Sequence, residues 1–500
     1  MAELKCGVGR PKAAIGKLLA GLGVGLCFAL GVTKVSSYDT WVHLSLGRWM
    51  FEEGRIPRTN LLSHTQPERA TPNHQWLFQA GLYGVWRAVG LDGATLLKAG
   101  VVAGALGVVL ATALRKGAEV AVAVLAVVVA AGAARFRFTL RPQVVALLFL
   151  GVYGLVLERW RWGGRRGLLV MLPLQVVWAN VHGSAMLGCA LALGYAVAET
   201  LSRRFGLKSA IGNRQSQLAW LWVVAGALVP LTLLNPQGAG ILSLPFTHAA
   251  KQVGWGLKEL LQDRAAVSWA DLGGRHVCFA ILGGVALVTL IGSAARRDLA
   301  EVGLCLGSLA AAGYSERFID LFAVLAAPIA ARNAAWLLRG VLRRMEPRLL
   351  AALGAAAALG LAALGKVASD REVPFGLGVA EGRFPEQEVA FVQEKFPDGN
   401  LFNEFEHGGY IWWRTRRPVF LDSRGELAYD MGFLRDYIEA WTSLAGWRGL
   451  VERHGLEVAL AARRPLQAVI RADEGWEQVF QGSVCAVFVR RARSPALPAP

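Results

Sequence analysis

Long apolar runs separated by short polar turns occupy most of the first 365 residues. Such runs predict membrane-spanning helices, because a segment in lipid must satisfy its own backbone hydrogen bonds. Several runs are shorter than the roughly 20 residues that a bilayer needs, so their ends are approximate. The predicted spans, about eleven in number, are residues 18–32, 94–114, 120–134, 144–157, 168–177, 185–201, 218–234, 277–294, 299–313, 318–338 and 349–364.

Basic residues predict the orientation of these spans. Lys and Arg precede the first span, from Lys5 to Lys17, and recur in alternate turns such as Arg115-Lys116 and the run ERWRWGGRR. Basic turns of this kind stay in the cytoplasm. All of them can do so only if segment 76–89 does not cross, so we predict an interfacial or half-inserted helix there. The residues after the last span are then extracytoplasmic.

The polar residues at the other ends of the spans fall on the outer side of this topology. Polar groups close to a bilayer are costly and usually functional. The sequence therefore predicts one outward-facing site. Its candidate residues are Asp39, His43, His74, Arg135, Arg137, Arg141, Asn180, His182, Asn235, Glu316 and Arg317.

Composition supports the membrane class and excludes others. The chain is 54% hydrophobic and only 18% charged, which is too apolar for an ordinary soluble enzyme. Its net charge of +17 follows from the basic turns, so we expect no nucleic-acid partner. Six scattered cysteines have neither metal-ligand spacing nor the pattern of a disulfide framework.

From Lys366 onward the composition becomes that of a soluble domain. The pattern predicts a helix over 384–396 and strands over 417–424, 456–463 and 483–491. The predicted fold is therefore an α-helical multi-pass membrane bundle followed by a small α/β domain. The predicted domains are residues 1–365, including a first extracytoplasmic loop at 36–77, and residues 366–500.

Asp39 opens the first outer loop. After it, Val42, Leu46, Trp49 and Met50 recur at helical spacing, which predicts an amphipathic helix lying on the membrane. The polar residues off that stripe are Arg48, Glu52 and Glu53. Asp39 and His43 are four residues apart and share a face of that helix. The spacing alone also allows Asp39 to be a helix cap.

Several motifs carry a resemblance to a known superfamily. They are YDTWVHLSLGRWMFEEGRIPRTNLLSHT, NHQWL, WANVHGS, LLNPQG and HGGYIWW with FLDSR. With an acid just after the first span, these resemble the GT-C superfamily of membrane glycosyltransferases, and in particular a large group of poorly characterised bacterial members. The motifs run over most of the chain.

The resemblance implies a reaction and a location. The donor would be a sugar on a polyprenyl phosphate, the acceptor a lipid, glycan or protein, and the location the cytoplasmic (inner) membrane. Asp39 would be the general base, which deprotonates the acceptor hydroxyl, with His43 and His74 assisting. The implied substrate-binding residues are Arg135, Arg137, Arg141 and Arg317, which would hold phosphate, together with His182 and Glu316.

The sequence departs from the GT-C pattern in two places. Many members carry two acids in the first loop, sometimes with a divalent metal, whereas no acid adjoins Asp39 here. Gln75 stands where members of the group often have Glu. We therefore assign no cofactor, and a divalent metal stays an open alternative. Two rival functions also stay open, a non-catalytic accessory subunit of envelope glycan assembly and a lipid or glycan transporter. Polar residues on one side only argue against the transporter.

Individual residues have simpler interpretations as well. Arg135 and Arg137 could extend to lipid headgroups, and Glu316 could pair with Arg317. Asn180 and His182 could satisfy helix ends, while Asp422 and Arg424 could pair within their own loop or contact substrate.

Overall fold

The computed structural model describes residues 9–207, 215–243, 267–293 and 298–491. The start of the basic leader, including Lys5, lies outside these residues. The helices are α1 Gly9–Gly31, α2 Asp39–Glu53, α3 Trp76–Arg115, α4 Val120–Ala134, α5 Gln143–Arg161, α6 Met171–Val181, α7 Met186–Arg204, α8 Gln215–Thr232, α9 Trp269–Leu272, α10 Val277–Gly292, α11 Leu299–Tyr314, α12 Ile319–Leu337, α13 Arg339–Leu342, α14 Pro347–Ser369, α15 Glu386–Lys395, α16 Gly408–Thr415, α17 Met431–Glu439, α18 Leu444–His454 and α19 Arg464–Arg471. The strands are β1 Asn400–Asn403, β2 Leu456–Ala461, β3 Trp476–Gln481 and β4 Ala486–Arg490.

A helix occupies each of the predicted spans. Among the described residues, seven helices are long and apolar enough to cross a membrane, and three shorter apolar helices accompany them. The chain is therefore a multi-pass membrane protein, as predicted. The prediction succeeds because lipid permits a spanning segment few structures other than a helix.

The helix α3 is broken at Gly90. This residue has φ 69° and ψ −172°, a conformation that a side chain would make unfavourable. The break separates residues 76–89 from the apolar part that ends at Arg115. It lies where the sequence predicted the boundary between a non-crossing helix and a span. The interfacial location of residues 76–89 stays a prediction.

The described residues form two compact units. The first unit comprises residues 1–34 and 89–378, and the second comprises residues 35–88 and 379–500. The first outer loop thus folds with the carboxy-terminal residues. The domain boundary at residue 365 stays a prediction.

The helix α4 lies at the centre of the first unit, where it contacts α1, α10, α12 and α14. Small residues make this close packing possible. A Cβ on Gly365 would lie 2.6 Å from Cα of Gly132, and a Cβ on Gly132 would lie 2.8 Å from Sγ of Cys278. The Ala/Val/Gly composition of α4 therefore lets four helices approach it closely.

A buried charge network joins helix ends at the opposite end of the first unit from Arg135. Lys116 Nζ lies 2.6 Å from Glu158 Oε2 and 2.8 Å from Glu301 Oε1. Arg161 binds both carboxylate oxygens of Asp298 at 3.0 Å. Polar residues from turns that are far apart in the sequence thus meet at this end as well. The expectation that polar residues lie on one side only is therefore wrong. The sequence-based argument against a transporter falls with it.

The second unit contains a four-stranded mixed sheet in the order β1-β2-β4-β3. Strand β1 is parallel to β2, whereas β4 is antiparallel to both β2 and β3. The helix predicted over 384–396 and the strands predicted over 456–463 and 483–491 are confirmed by α15, β2 and β4. The strand predicted over 417–424 is wrong. Within it, only Val419 forms a β-bridge, with Ser63 of the first loop.

The helix α2 is enclosed over its first half and exposed at its end. Residues 40–47 are all buried, including polar Thr40 and Ser45, whereas Glu52 and Glu53 are exposed as expected. Close glycine contacts explain the burial. A Cβ on Gly47 would lie 2.2 Å from the Gln79 carbonyl oxygen, and one on Gly409 of α16 would lie 2.6 Å from Val42 Cγ2. The helix α16 covers α2 at Val42, and the start of α3 covers it at Gly47. The prediction that α2 lies on the membrane surface is therefore wrong.

We expect Gly409→Ala to destabilise the protein by about 1–3 kcal/mol, because the added methyl group overpacks the contact between α16 and α2. Gly449→Ala is the matched control. Gly449 also lies within a helix, and a Cβ there would meet no atom within 4 Å. Thermal unfolding of the purified protein measures both effects. Equal melting temperatures for the two variants would contradict the packing described.

Candidate active site

Asp39 is the first residue of α2, and its side chain is half-buried. The N-cap position belongs to Tyr38, whose side chain makes no capping hydrogen bond. Ser423 Oγ donates a hydrogen bond to Asp39 Oδ1 at 2.5 Å. A carboxylate in the first turn of a helix is also favoured by the helix dipole. Asp39 is thus held by the carboxy-terminal residues rather than placed as the N-cap.

Ser423 lies in a turn that a buried ion pair fixes. Asp422 is fully buried, and Arg424 Nη2 lies 2.6 Å from its Oδ2. Arg424 N donates to Asp422 Oδ1 at 3.0 Å, and Tyr429 Oη donates to Oδ2 at 3.0 Å. Burial opposes the charge of Arg424, but the carboxylate of Asp422 outweighs it and raises the pKa of Arg424. The pair therefore supports the internal role that the sequence left open.

The first loop is bonded to the same turn. Arg424 Nη2 donates to Asn60 Oδ1, and Asn60 Nδ2 donates to the Ala428 carbonyl at 3.1 Å. His64 N donates to the Val419 carbonyl at 3.0 Å. Residues far apart in sequence thus form one rigid support beside Asp39.

His43 and His74 are both buried, with 6% and 7% of their surfaces exposed. The His43 ring packs edge-to-face on Phe78 at 5.3 Å. His43 shares the helix α2 with Asp39, four residues away, as predicted. Their assisting roles stay predictions.

A divalent metal at Asp39 would take most of its oxygen ligands from water and from the donor phosphate, as Mg²⁺ sites often do. Glu52, at the other end of α2, binds Arg48 at 2.9 Å and also binds Arg416. Partial burial works against its charge, yet hydrogen bonds from Arg416 and Arg48 lower the pKa of Glu52. Within the described ranges, no group of three His, Cys, Asp or Glu side chains could hold a metal.

Arg135 of the first unit is fully buried. Its Nη1 donates to Ser369 Oγ at 2.8 Å, and its Nη2 lies 3.3 Å from Asp370 Oδ1. The guanidinium therefore joins the turn after α4 to the end of α14. These contacts favour a structural role over the predicted phosphate contact.

Arg137 and Glu316 also have acidic or basic neighbours within the first unit. Arg137 Nε lies 3.7 Å from Asp320 Oδ2. Glu316 binds Arg275, and its Oε2 lies 3.5 Å from His276 Nε2. The sequence did not single out Arg275, because one basic residue before a span has no distinctive spacing.

The residues of WANVHGS and LLNPQG satisfy helix ends, as one interpretation of the sequence had it. Asn180 Nδ2 donates to the Leu234 carbonyl at 2.7 Å, and Asn235 Nδ2 donates to the Ala179 carbonyl at 2.7 Å. His182 Nδ1 accepts from Ser184 N at 3.2 Å. Arg141 and Arg317 are half-buried. Of the four arginines predicted to contact phosphate, these two have the most exposed side chains.

A buried polar cluster lies beside Tyr38, and the sequence did not predict it. The Tyr38 ring packs edge-to-face on the His407 ring at 5.9 Å, and Arg383 lies 4.5 Å from the Tyr38 ring. Cys485 Sγ lies 3.7 Å from His407 Nδ1. Arg463 binds Glu406 Oε1 at 2.5 Å. Only the HGGYIWW motif signalled this cluster.

We expect the protein to lose stability as the pH falls from about 6.5 to 4. Burial lowers the pKa of His407 to about 4, with Glu406 opposing and Arg463 adding to the shift. The unfolded chain therefore binds a proton over this range that the folded chain does not, which costs about 3 kcal/mol by pH 4. Melting temperatures of wild type and His407→Gln across this range test the expectation. Parallel pH profiles of the two proteins would contradict it.

Comparison with solved structures places this geometry in a known fold. The apo oligosaccharyltransferase of Archaeoglobus fulgidus is 11% identical, with a TM-score of 0.59 over 90% of this chain and 69% of that chain. AglB of the same organism, in complex with an inhibitory peptide and a dolichol-phosphate, is 10% identical, with a TM-score of 0.59 over 97% and 75%. ArnT of Cupriavidus metallidurans, bound to undecaprenyl phosphate, is 14% identical, with a TM-score of 0.56 over 97% and 98%.

Both neighbours are GT-C superfamily membrane glycosyltransferases, so the predicted resemblance is confirmed at the level of the fold. No protein-family model matches the chain, and no curated protein matches it.

Proposed function

We propose that this protein is an integral membrane glycosyltransferase that moves a sugar from a polyprenyl-phosphate carrier to an acceptor on the extracytoplasmic side of the cytoplasmic membrane. The observation that carries the proposal is similarity to the structure of ArnT bound to undecaprenyl phosphate, over 97% of this chain and 98% of the ArnT chain. The oligosaccharyltransferase structure with dolichol-phosphate supports the same class of donor.

Asp39 is the proposed general base. It is the first acid of the first outer loop, it is half-buried, and Ser423 donates a hydrogen bond to one of its oxygens. A positioned carboxylate can accept the proton of a hydroxyl group that is otherwise a weak nucleophile. Burial of Asp422 and its pairing with Arg424 keep the Ser423 turn fixed. The hydrogen bond from Ser423 can then hold the Asp39 carboxylate in one orientation, as a general base requires.

The proposed reaction is a single displacement. The acceptor oxygen gives its proton to Asp39 and forms a bond to the anomeric carbon of the donor sugar. The bond from that carbon to the phosphate oxygen breaks, and polyprenyl phosphate leaves with the electron pair. The configuration at the anomeric carbon is inverted.

The departing phosphate needs cationic contacts. Among the proposed arginines, Arg141 and Arg317 suit this role best, because their side chains are half-buried rather than enclosed. Arg135 supports the helix ends instead, through Ser369 and Asp370. His182 and Glu316 have structural partners that compete with substrate contact.

Two rival functions predict different results. A non-catalytic accessory subunit is favoured by the single acid at Asp39, since Glu52 is engaged by two arginines. A lipid or glycan transporter is favoured by the buried charges around Lys116 at the second end of the bundle. The accessory subunit neither releases nor moves the donor. The transporter moves polyprenyl-phosphoryl sugar across a liposome membrane without releasing polyprenyl phosphate.

We expect wild-type protein to release polyprenyl phosphate from a panel of polyprenyl-phosphoryl sugars in the presence of an envelope lipid and glycan extract. Asp39→Asn should release it at least about 100-fold more slowly, because general bases contribute factors of this size. Glu53→Gln is the matched control, since it changes an exposed acid of the same helix. Full activity in Asp39→Asn would contradict the base, and no release from folded wild type would contradict the enzyme.

A further inference from the structure

A concave surface includes Trp41 of α2, the helix that carries Asp39. It is a cavity of 190 Å³ within the second unit. Drug-sized ligands usually occupy about 300–1,000 Å³, so this cavity suits a ligand of one small ring. The residues that define its chemistry are Trp41, Phe384, Tyr410, Trp413, Glu386 and Arg414.

The four aromatic residues pack against each other at this cavity. The Trp41 ring is 5.1 Å from the Tyr410 ring and 5.5 Å from the Phe384 ring, and it is 6.2 Å from the Trp413 ring. Aromatic walls of this kind offer flat apolar surface to the C–H groups of a ring-shaped ligand. Trp41 meets Tyr410 and Phe384 edge to face, and Phe384 stacks on Tyr410 at 5.3 Å, so the rings pack on one another instead of forming a box that would enclose a cation.

Three side-chain groups at the same cavity lack a hydrogen-bond or ion-pair partner among the described residues, whereas Glu381, which also lines the cavity, is already engaged. Trp41 is 5% exposed, and its indole N–H is buried without a hydrogen-bond acceptor. Leaving such a donor unsatisfied costs free energy that a ligand oxygen would recover. Glu386 and Arg414 are exposed, and neither side chain forms an ion pair with a described residue. The cavity thus presents two donors and one acceptor beside aromatic surface.

We propose that this cavity binds one sugar unit of a glycan. A pyranose has apolar C–H faces for the rings and hydroxyl groups for the indole N–H, the carboxylate and the guanidinium. A neutral polyhydroxyl ligand can accept from Arg414 and donate to Glu386 at once, whereas a small ion of either sign would meet only one of them favourably.

The position of the cavity assigns that glycan a role. Trp41 follows Asp39 by two residues, so their side chains point about 200° apart around α2. The bound sugar is therefore not the one that reacts at Asp39. It is another unit of an acceptor that extends around the helix, so the acceptor class is a glycan rather than a simple lipid or a protein. This assignment rests on the proposed function, whereas sugar binding itself does not.

Binding of defined sugars to the full-length protein in detergent, without donor, tests the proposal. The probes are cellotriose, chitotriose and mannotriose, with choline as the cationic comparison, and saturation-transfer NMR reports the binding. At least one trisaccharide should bind, and choline should not. Trp413→Ala should weaken binding about two- to tenfold, as the loss of one aromatic contact predicts. Glu386→Gln should weaken it in the same direction through the lost acceptor charge.

Matched controls separate the cavity from general effects on the fold. Trp49→Ala changes a half-buried tryptophan of the same helix that packs against Arg55. Glu394→Gln changes an exposed acid of α15, the helix that carries Glu386. Both should bind sugar as wild type does.

Three results would overturn the proposal. They are no binding of any trisaccharide by folded wild type, equal binding by wild type and both cavity variants, and binding of choline alone. Asp39→Asn keeps the failure of this proposal distinct from that of the proposed reaction, because it should bind sugar normally. Sugar binding without donor cleavage would leave the cavity assigned and refute only the enzyme.

Discussion

The second unit depends on the buried ion pair between Asp422 and Arg424. Asp422 is fully buried, and its oxygens accept from the Arg424 side chain and backbone and from Tyr429. Arg424 also binds Asn60 of the first loop. Removing one partner of such a pair leaves a buried charge and typically costs about 3–5 kcal/mol. That loss would weaken the contact between the first loop and the carboxy-terminal segment, which are hundreds of residues apart in the sequence.

This join holds the first loop and the carboxy-terminal segment together in one compact unit. The first loop has no sheet of its own, and its backbone at Leu62 and His64 bonds to Val419 instead. The helix α2 is then enclosed by α16 and the start of α3, with Gly409 and Gly47 at the contacts. One face of α2 presents Asp39, and another presents Trp41 to the aromatic cavity. A rigid helix can hold both groups at a fixed separation.

The sequence predicted the parts of the fold that hydropathy controls. A helix occupies each predicted span, because lipid leaves few alternatives. It missed what long-range pairing decides. Strand β1 has only four residues, and the run from Arg417 looks like a strand although only Val419 pairs. Similarly, the apolar stripe of α2 indicated contact with a membrane, because nothing local shows that Gly409 lets another helix cover Val42.

The candidate site divides in the same way. Asp39 was predictable from its place after the first span and from the motif around it. Ser423 was not, since one serine between two charged residues carries no spacing signal. The charge network around Lys116 was also hidden, because Glu158 and Glu301 reach it from separate helices. Contacts that depend on tertiary structure leave no periodic pattern in the sequence from which they could be predicted.

The most direct test of this account is the kinetics of Ser423→Ala and Ser423→Thr, measured as polyprenyl phosphate release. If Ser423 positions Asp39, the alanine variant should lower kcat about tenfold with little change in KM, since one hydrogen bond to a charged group contributes about 1.5–3 kcal/mol. The threonine variant, which keeps the hydroxyl group, should restore most of the rate. Unchanged kcat in the alanine variant, or equal losses in both variants, would contradict the claim that the carboxy-terminal residues hold the base in place.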